Sequence, residues 1–342
     1  MVIIPQNRVA VIILTFNSVS KLGSFFDEVL ESVFKQDYQD SEILFIDNGS
    51  GDGTPDYVEN KCKEHGNCRV LRLGKNYGWS GGNNRGALLA KDANYLFFMN
   101  DDVILERGCL HKLMDALLRR KDLGAVQPLI VNRDGTLNYG LTIGLSGFPK
   151  MVQCLRGYPS STIFYVSGAA LLTRADAFFH VGMFDDHLFL YHDDADYSWR
   201  LRLMGYKVDC VTNVKAYHWG SATLGTESPQ YLYFLTRNNL WIIVKNSSLA
   251  WILPRIFLML IEVMISFLGH MLLKEKDVKR AFIVLRALMD GFRNLRVPMG
   301  KRVNVAKIRR VREGEINRAI NVLVDVDLIF PKTLREAMGL RW

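Results

Sequence analysis

Among the 5 cysteines of this 342-residue sequence there is no C-x-x-C pair, which leaves no basis for a zinc ribbon. Their odd number and wide spacing (Cys62, Cys68, Cys109, Cys154 and Cys210) argue against a disulfide framework, and reduced thiols in a reducing compartment are the expectation. Proline is scarce at 9 residues, and the 27 glycines follow no period, so collagen-like and low-complexity architectures are excluded. The N-terminal segment lacks a secretory signal pattern. With 49% hydrophobic and 23% charged residues, the chain is not disordered at large.

Charge is unevenly spread. Residues 274–342 carry 17 Lys/Arg against 8 Asp/Glu, whereas the other 273 residues carry 26 against 27. A neutral body with a polycationic tail points to an anionic partner, nucleic acid or lipid, touching the C-terminal part.

The first two hundred residues alternate short apolar runs with helical spacing. Arg8–Thr15 is a β-branched run too short for a helix and suited to a buried strand. Apolar residues at helical spacing cover 21–36, and Ile43–Ile46 is a second buried run ending in Asp47-Asn48-Gly49. A helix near 54–65, a strand at Arg69–Leu73, a helix near 82–92 and a strand at Tyr95–Met99 follow. This order predicts an α/β fold, a mainly parallel sheet with helices on both faces. Beyond it come a strand at Gly124–Val131, a Gly-rich irregular stretch, helices near 174–181 and up to Met204, and strands at Lys207–Val211 and Val214–His218. Residues 1–225 read as one α/β domain.

Leu249–Leu273 is a 25-residue stretch whose charges are Arg255 and Glu262 alone. Its length would allow a membrane span. Arg255, Glu262, Ser266 and His270 fall on about one helical face, which instead suits an interfacial helix holding its charges in the headgroup layer. The plainer alternative is an amphipathic helix packed on the domain. Arg293–Arg312 then adds eight Lys/Arg and no acid, as anionic lipid attracts. That run has no aromatic residue for base stacking, which disfavours a nucleic-acid-binding protein.

Ligands of open parallel sheets bind beyond the C-terminal strand ends. Here those ends carry Thr15-Phe16-Asn17, Asp47-Asn48-Gly49, Gly74-Lys75-Asn76 and Asn100-Asp101-Asp102. Converging carboxylates require a metal or a cationic ligand, so Asp101 and Asp102 are metal candidates for Mn²⁺ or Mg²⁺ on a diphosphate. In isolation they equally suit an N-cap for a helix starting near Glu106. Asp193, Asp194 and Asp196 offer a general base, or merely favourable charge at a helix start. Gly49–Thr54 misses the last glycine of a dinucleotide fingerprint, and the first βα turn has no glycine, which argues against a nicotinamide site. The same turn lacks the Gly-rich basic loop of a sugar-nucleotide nucleotidyltransferase.

The ordered motifs VAVIILTFNS, ILFIDNGSGDGT, NYGWSGGNNRG, FFMNDDV, VSGAALLTR, FLYHDDADYSWRLRLMGY and YHWGS resemble family 2 glycosyltransferases with the GT-A fold, in the rhamnosyl-, mannosyl- and galactofuranosyltransferase-like branch. The resemblance covers roughly residues 8–240. It implies a catalytic domain over 1–240, and the apolar stretch and basic run make 241–342 a helical, basic region expected to bind membrane. It implies that Thr15, Asn17, Asp47, Asn84 and Asp101 serve the nucleotide, with the Asp47 carboxylate on the base. By the same resemblance Asp102 and His218 hold the divalent metal and Asp194 is the catalytic base. Asp193, Asp196 and Trp219 lie on the acceptor side or support it, and Asn100 replaces the first acid of the D-x-D pattern. The implied activity is inverting transfer from a nucleotide-diphosphate sugar, mannose or rhamnose favoured, and the apolar stretch with its basic run makes a lipid-linked acceptor the expectation. No nucleic-acid partner is expected. The expected location is the cytoplasmic face of an anionic membrane, held peripherally or monotopically.

Overall fold

The computed structural model describes residues 7–152, 154–155, 158–159, 163–220, 228–272 and 278–320. The chain divides into two compact units, Met1–Leu141 with Met151–Thr223, and Thr142–Lys150 with Leu224–Trp342. The division falls before the expected boundary at 240 because Pro229–Asn246 is one unbroken helix that belongs to the second unit.

In the first unit the elements are β1 (Val9–Thr15), α1 (Ser18–Leu22), α2 (Ser24–Phe34), β2 (Ser41–Asp47), α3 (Thr54–Cys62), β3 (Cys68–Arg72), α4 (Gly78–Leu89), β4 (Tyr95–Asn100), β5 (Val103–Leu105), α5 (Cys109–Arg119), β6 (Leu123–Asn132) and β7 (Leu137–Asn138). The short strands β8 (Leu141–Ile143) and β9 (Pro149–Met151), which pair with each other, fall mostly in the second unit, while β10 (Cys154–Leu155) and β11 (Tyr158–Pro159) pair within the first. Then come β12 (Ala170–Arg174), α6 (Ala175–His180), α7 (Asp193–Leu203) and β13 (Lys207–His218). The main sheet runs β3-β2-β1-β4-β12-β6-β13-β5, with β7 beside β6. Its first four strands are parallel, as the alternating pattern requires. β12 runs antiparallel to both β4 and β6, and β5 antiparallel to β13. The sheet is therefore mixed, and the two closing strands expected near residue 211 are one strand with a register shift between Val211 and Lys215.

Alternation along β1 divides the core into two layers, because successive side chains leave opposite faces. Val9, Val11 and Ile13 join one apolar cluster with Phe26, Val29 and Leu30 of α2 and Leu113 of α5. Ile12 and Leu14 face α4, where glycine lets helix and sheet approach closely: a Cβ on Gly82 would stand 2.3 Å from Leu14 Cδ1. On that face Phe98 meets Phe178 and Phe184, with ring centroids 5.0 and 4.9 Å apart. The helix expected over 21–36 breaks at Gly23, whose φ of 55° no ordinary helix residue adopts.

One disulfide joins Cys62 at the end of α3 to Cys68 at the start of β3, with Cα atoms 5.2 Å apart. It corrects the expectation of reduced thiols: the turn returns the chain on itself and brings the two ends together. Among the described residues it is the one disulfide, and Cys109 and Cys210 are free, so no framework forms there.

The second unit is helical: α8 (Pro229–Asn246), α9 (Leu249–Leu272), α10 (Val278–Arg293), α11 (Arg296–Ile308) and α12 (Glu313–Ala319). Ser228 caps α8, accepting from the Tyr231 N–H at 3.1 Å. Leu240, Ile242 and Ile243 of α8 form its interior, and Trp241 Nε1 donates to the Gly291 carbonyl at 3.1 Å. α9 reverses the expected orientation. Arg255 is wholly buried, 3.1 Å from Glu313 and donating to Asn317 Oδ1 at 2.6 Å, and Glu262 is buried too. The polar face turns inward onto protein rather than into a headgroup layer. His270 lies outside the residues whose side chains are described, as do 273–277 and 321–342 of the basic tail. Nor is the whole Arg293–Arg312 run a surface patch. Arg302 donates to the Val244 and Ser247 carbonyls at 2.8 and 2.6 Å, and Arg309 to that of Asn246, so both close the end of α8.

Gly86→Val tests the helix-on-sheet contact. A Cβ there would lie 2.7 Å from Ile12 Cγ2 and 2.9 Å from Ile46 Cγ1. Overpacking of about 1–3 kcal/mol exceeds a propensity gain of a few tenths. Thermal unfolding followed by circular dichroism should show a lower midpoint, whereas Gly300→Ala, in open space on α11, should raise it.

Candidate active site

The C-terminal ends of β1, β2 and β4 supply one wall. Asp47 is buried at the end of β2, and its Oδ2 accepts from the Gly49 and Ser50 N–H groups at 3.2 Å each. Its Oδ1 is buried with no partner among the described residues, which leaves an acceptor for an incoming N–H donor. Asn17 stands in the left-handed region at φ 54°, donates its N–H to Ser50 Oγ at 2.9 Å and accepts from the Gly51 N–H at 2.8 Å. The loops after β1 and β2 are thus tied into one rim. Thr15, buried below it, donates to the Ile46 carbonyl at 3.4 Å.

The two acids after β4 differ. Asp101 turns toward the rim and accepts from Ser18 Oγ and, at 3.4 Å, from the Phe16 N–H. Burial, with Asp102 beside it, pushes its carboxyl up to about 6. Asp102 Oδ1 accepts no hydrogen bond among the described residues and lies 3.3 Å from His218 Nε2. Strand pairing makes this meeting possible, since β5 brings Val103 opposite His218 of β13. Two ligands of one small divalent ion sit about 3 Å apart, so the pair fits Mn²⁺ or Mg²⁺. Among the described residues no third His, Cys, Asp or Glu completes a set. The alternative of helix capping fails, because β5 follows the two acids and α5 starts at Cys109 behind Gly108.

Asn100, at the first position of the pattern, spends its side-chain oxygen on Trp79 Nε1 at 2.8 Å. Trp79 lies against Gly168, where a Cβ would come within 2.8 Å of the indole. Gly168 in turn donates its N–H to Asp194 Oδ2 at 3.1 Å, and the Asn100 N–H donates to the Ala169 carbonyl at 3.0 Å. These contacts place Asp194 at the same sheet edge as Asp102. Sequence reasoning gave Trp79 and Gly168 no role, although both stand in the glycine-containing motifs it singled out.

Asp194 is half-buried near the start of α7, with Oδ1 accepting from the Ala195 N–H at 2.8 Å. Burial pushes it up to about 6 against the backbone donors that hold it down. Asp193 is more buried, and desolvation beside Asp194 drives it well above the usual carboxylate range. The segment leading in is strained. Of the five non-glycine residues with positive φ among the described residues, four (Met183, Phe189, Tyr191 and His192) lie in it.

Three expected site residues act at one remove. Asn84 spends its amide on the loop after α6, donating to the Phe184 carbonyl at 2.9 Å and to Asp186, and accepting from the Phe184 N–H at 3.0 Å. Asp196 is sealed in an ion pair with Arg200 at 2.8 Å, and Arg200 also donates to the Val181 carbonyl at 2.6 Å. Trp219 packs at a tilt against Phe25 with centroids 4.5 Å apart, carries the Arg133 guanidinium 4.0 Å above its ring, and donates its backbone N–H to the Asp102 carbonyl at 2.9 Å. It braces the Asp102 turn from below.

Residues 10–179 match the family model described as Glycosyl transferase family 2. The sequence is 28% identical over 238 residues to an N-acetylglucosaminyl-diphospho-decaprenol L-rhamnosyltransferase of Mycobacterium tuberculosis, covering 61% of this chain and 76% of that one. It is 28% identical over 187 residues to a poly-beta-1,6-N-acetyl-D-glucosamine synthase of Staphylococcus aureus, covering 53% of this chain but 43% of the synthase. The fold is similar to that of S. aureus TarS residues 1–349, with TM-score 0.57 and 17% identity over 88% of this chain and 90% of that one. It is also similar to a mannosyltransferase from Pyrobaculum calidifontis in complex with GDP-Man and Mn²⁺, with TM-score 0.51 and 15% identity over 88% and 85% of the two chains. The structural likenesses establish the GT-A type of fold.

Asp194 and Asp196 should separate cleanly in thermal melts. Asp196→Asn leaves the buried Arg200 without its counter-charge and should cost about 3–5 kcal/mol. Asp194 has a folded pKa above its unfolded value, so its stabilising contribution is present below the unfolded value and lost as pH rises through about 6. Asp194→Asn should therefore melt at or above wild type at neutral pH.

Proposed function

The chain belongs to glycosyl transferase family 2, and from that premise we propose that it moves mannose or rhamnose, with inversion and with a divalent metal, from a nucleotide-diphosphate sugar to a lipid-linked saccharide or polyprenyl-linked acceptor. The single observation that carries this reading is Asp194. It is a half-buried carboxylate held by two backbone donors and raised to about 6, close to the operating range of a general base. The acceptor hydroxyl gives its proton to Asp194 while its oxygen attacks the anomeric carbon from the face opposite the leaving diphosphate. One displacement inverts that centre.

Asp102 and His218 would hold Mn²⁺ or Mg²⁺. When bound, the ion neutralises charge developing on the leaving diphosphate. The free Oδ1 of Asp47 would accept from the nucleotide base, with Asn17 and Asp101 fixing the rim around it. A lipid-linked acceptor is supported by the name of the mycobacterial relative, whose acceptor is a diphospho-decaprenol. Such an acceptor and the cationic tail support action at the cytoplasmic face of a membrane.

A screen of nucleotide sugars with Mn²⁺ and a polyprenyl-linked acceptor should find transfer from a mannose or rhamnose donor. Asp194→Asn should keep donor binding and lose about 10²–10⁴-fold in kcat. In the wild type, kcat/KM should fall about tenfold per pH unit below about 6, as Asp194 takes up its proton. Undiminished turnover in the variant would move the base elsewhere.

A further inference from the structure

α9 has the length and apolar composition to cross a bilayer over Leu249–Leu268, yet its surroundings in the second unit are those of a helix lying flat. Its charged side is covered by protein. Arg255 is shielded by Glu313 and Asn317 of α12, and the Ser248 N–H donates to the same Glu313 at 3.0 Å. A spanning helix would have to strip α12 from a buried arginine and expose that charge to hydrocarbon. The opposite side is bare. Leu249, Leu253, Phe257, Leu260, Met264 and Leu268 recur at steps of three and four and are all exposed, Leu249 and Leu253 by more than three quarters.

α10, which packs against α9, continues this surface. Phe282, Leu285, Met289 and Phe292 form its exposed apolar stripe, and the exposed Lys279, Arg286 and Arg293 follow at seven-residue steps along one flank. Between Val278 and Arg312 the sequence has eleven Lys/Arg and one acid, Asp290, which lies 3.7 Å from Arg286. An apolar stripe edged by cations is complementary to an anionic bilayer, with acyl chains under the stripe and phosphates beside the basic flank. A second copy of this chain would bring the same cations face to face.

We propose that the outward faces of α9 and α10 together form a monotopic docking surface for an anionic lipid bilayer, with α9 in the membrane plane. This deepens the membrane part of the reading above, and it stands apart from the chemistry at Asp194.

The test uses the full chain with vesicles of phosphatidylcholine, alone or mixed with phosphatidylglycerol. Wild type should co-sediment with the mixed vesicles and at least tenfold less with phosphatidylcholine alone. The double variant Leu253→Glu, Phe257→Glu should lose at least tenfold in binding, while hydrolysis of the nucleotide sugar in solution stays unchanged. Loss of hydrolysis in wild type would instead count against the enzymatic reading and leave the docking result standing. Ser248→Cys and Lys279→Cys, near the two ends of α9, should both react with a membrane-impermeant maleimide added outside sealed vesicles. Protection of one end would show a span, and undiminished vesicle binding by the double variant, or a lipid-independent dimer abolished by it, would overturn the docking surface.

Discussion

Carboxylates crowded at the C-terminal edge of one sheet set the terms for the rest of this site. Each must be neutralised, protonated or solvated, because a buried charge without compensation is costly. The fold solves most of them internally. Asp47 takes two backbone donors on one oxygen, Asp101 takes Ser18 and the Phe16 N–H, and Asp196 takes Arg200. Asp47 Oδ1 stays open to an incoming donor, and two further acids are left in states that call for something from outside. Asp102 faces His218 without a hydrogen bond to its Oδ1, and Asp194 is balanced between burial and backbone donors. On the proposed reading one would take a cation and the other a proton, so that two chemically identical side chains would carry different tasks.

Much of this was legible in the order of residues. The runs Val9–Thr15 and Tyr95–Met99 are buried parallel strands, as their continuous apolar character demands, and the two acids that closely follow the second lie at the C-terminal edge of the sheet. The reversed strands β5 and β12 were not legible, since nothing in a short apolar run encodes direction. The separate roles of Asp101 and Asp102 depend on which way each side chain leaves the turn, and adjacent residues look alike in sequence. Asn84 illustrates the same limit: an amide in a glycine-rich motif reads as a ligand, but its partners lie a hundred residues away in the loop after α6.

The helical unit shows a different limit. Spacing alone established that Arg255 and Glu262 share a face of α9, but periodicity carries no sign, and a charged face can point to water, to headgroups or to protein. The answer rests on Glu313 and Asn317, which reach Arg255 across some sixty residues of sequence. Likewise the cationic run divides into arginines that close the end of α8 and others left on the surface, a distinction set by where the α8 carbonyls fall.

The division of labour between Asp102 and Asp194 is the central claim, and calorimetric titration of wild type and Asp102→Ala with UDP, GDP and dTDP, each with and without Mn²⁺, tests it most directly. The account predicts that wild type binds one of these nucleotides in a metal-dependent manner and that the variant, still folded, loses that dependence together with most of its affinity. Equal affinity in the two proteins, or wild-type binding indifferent to Mn²⁺, would contradict it.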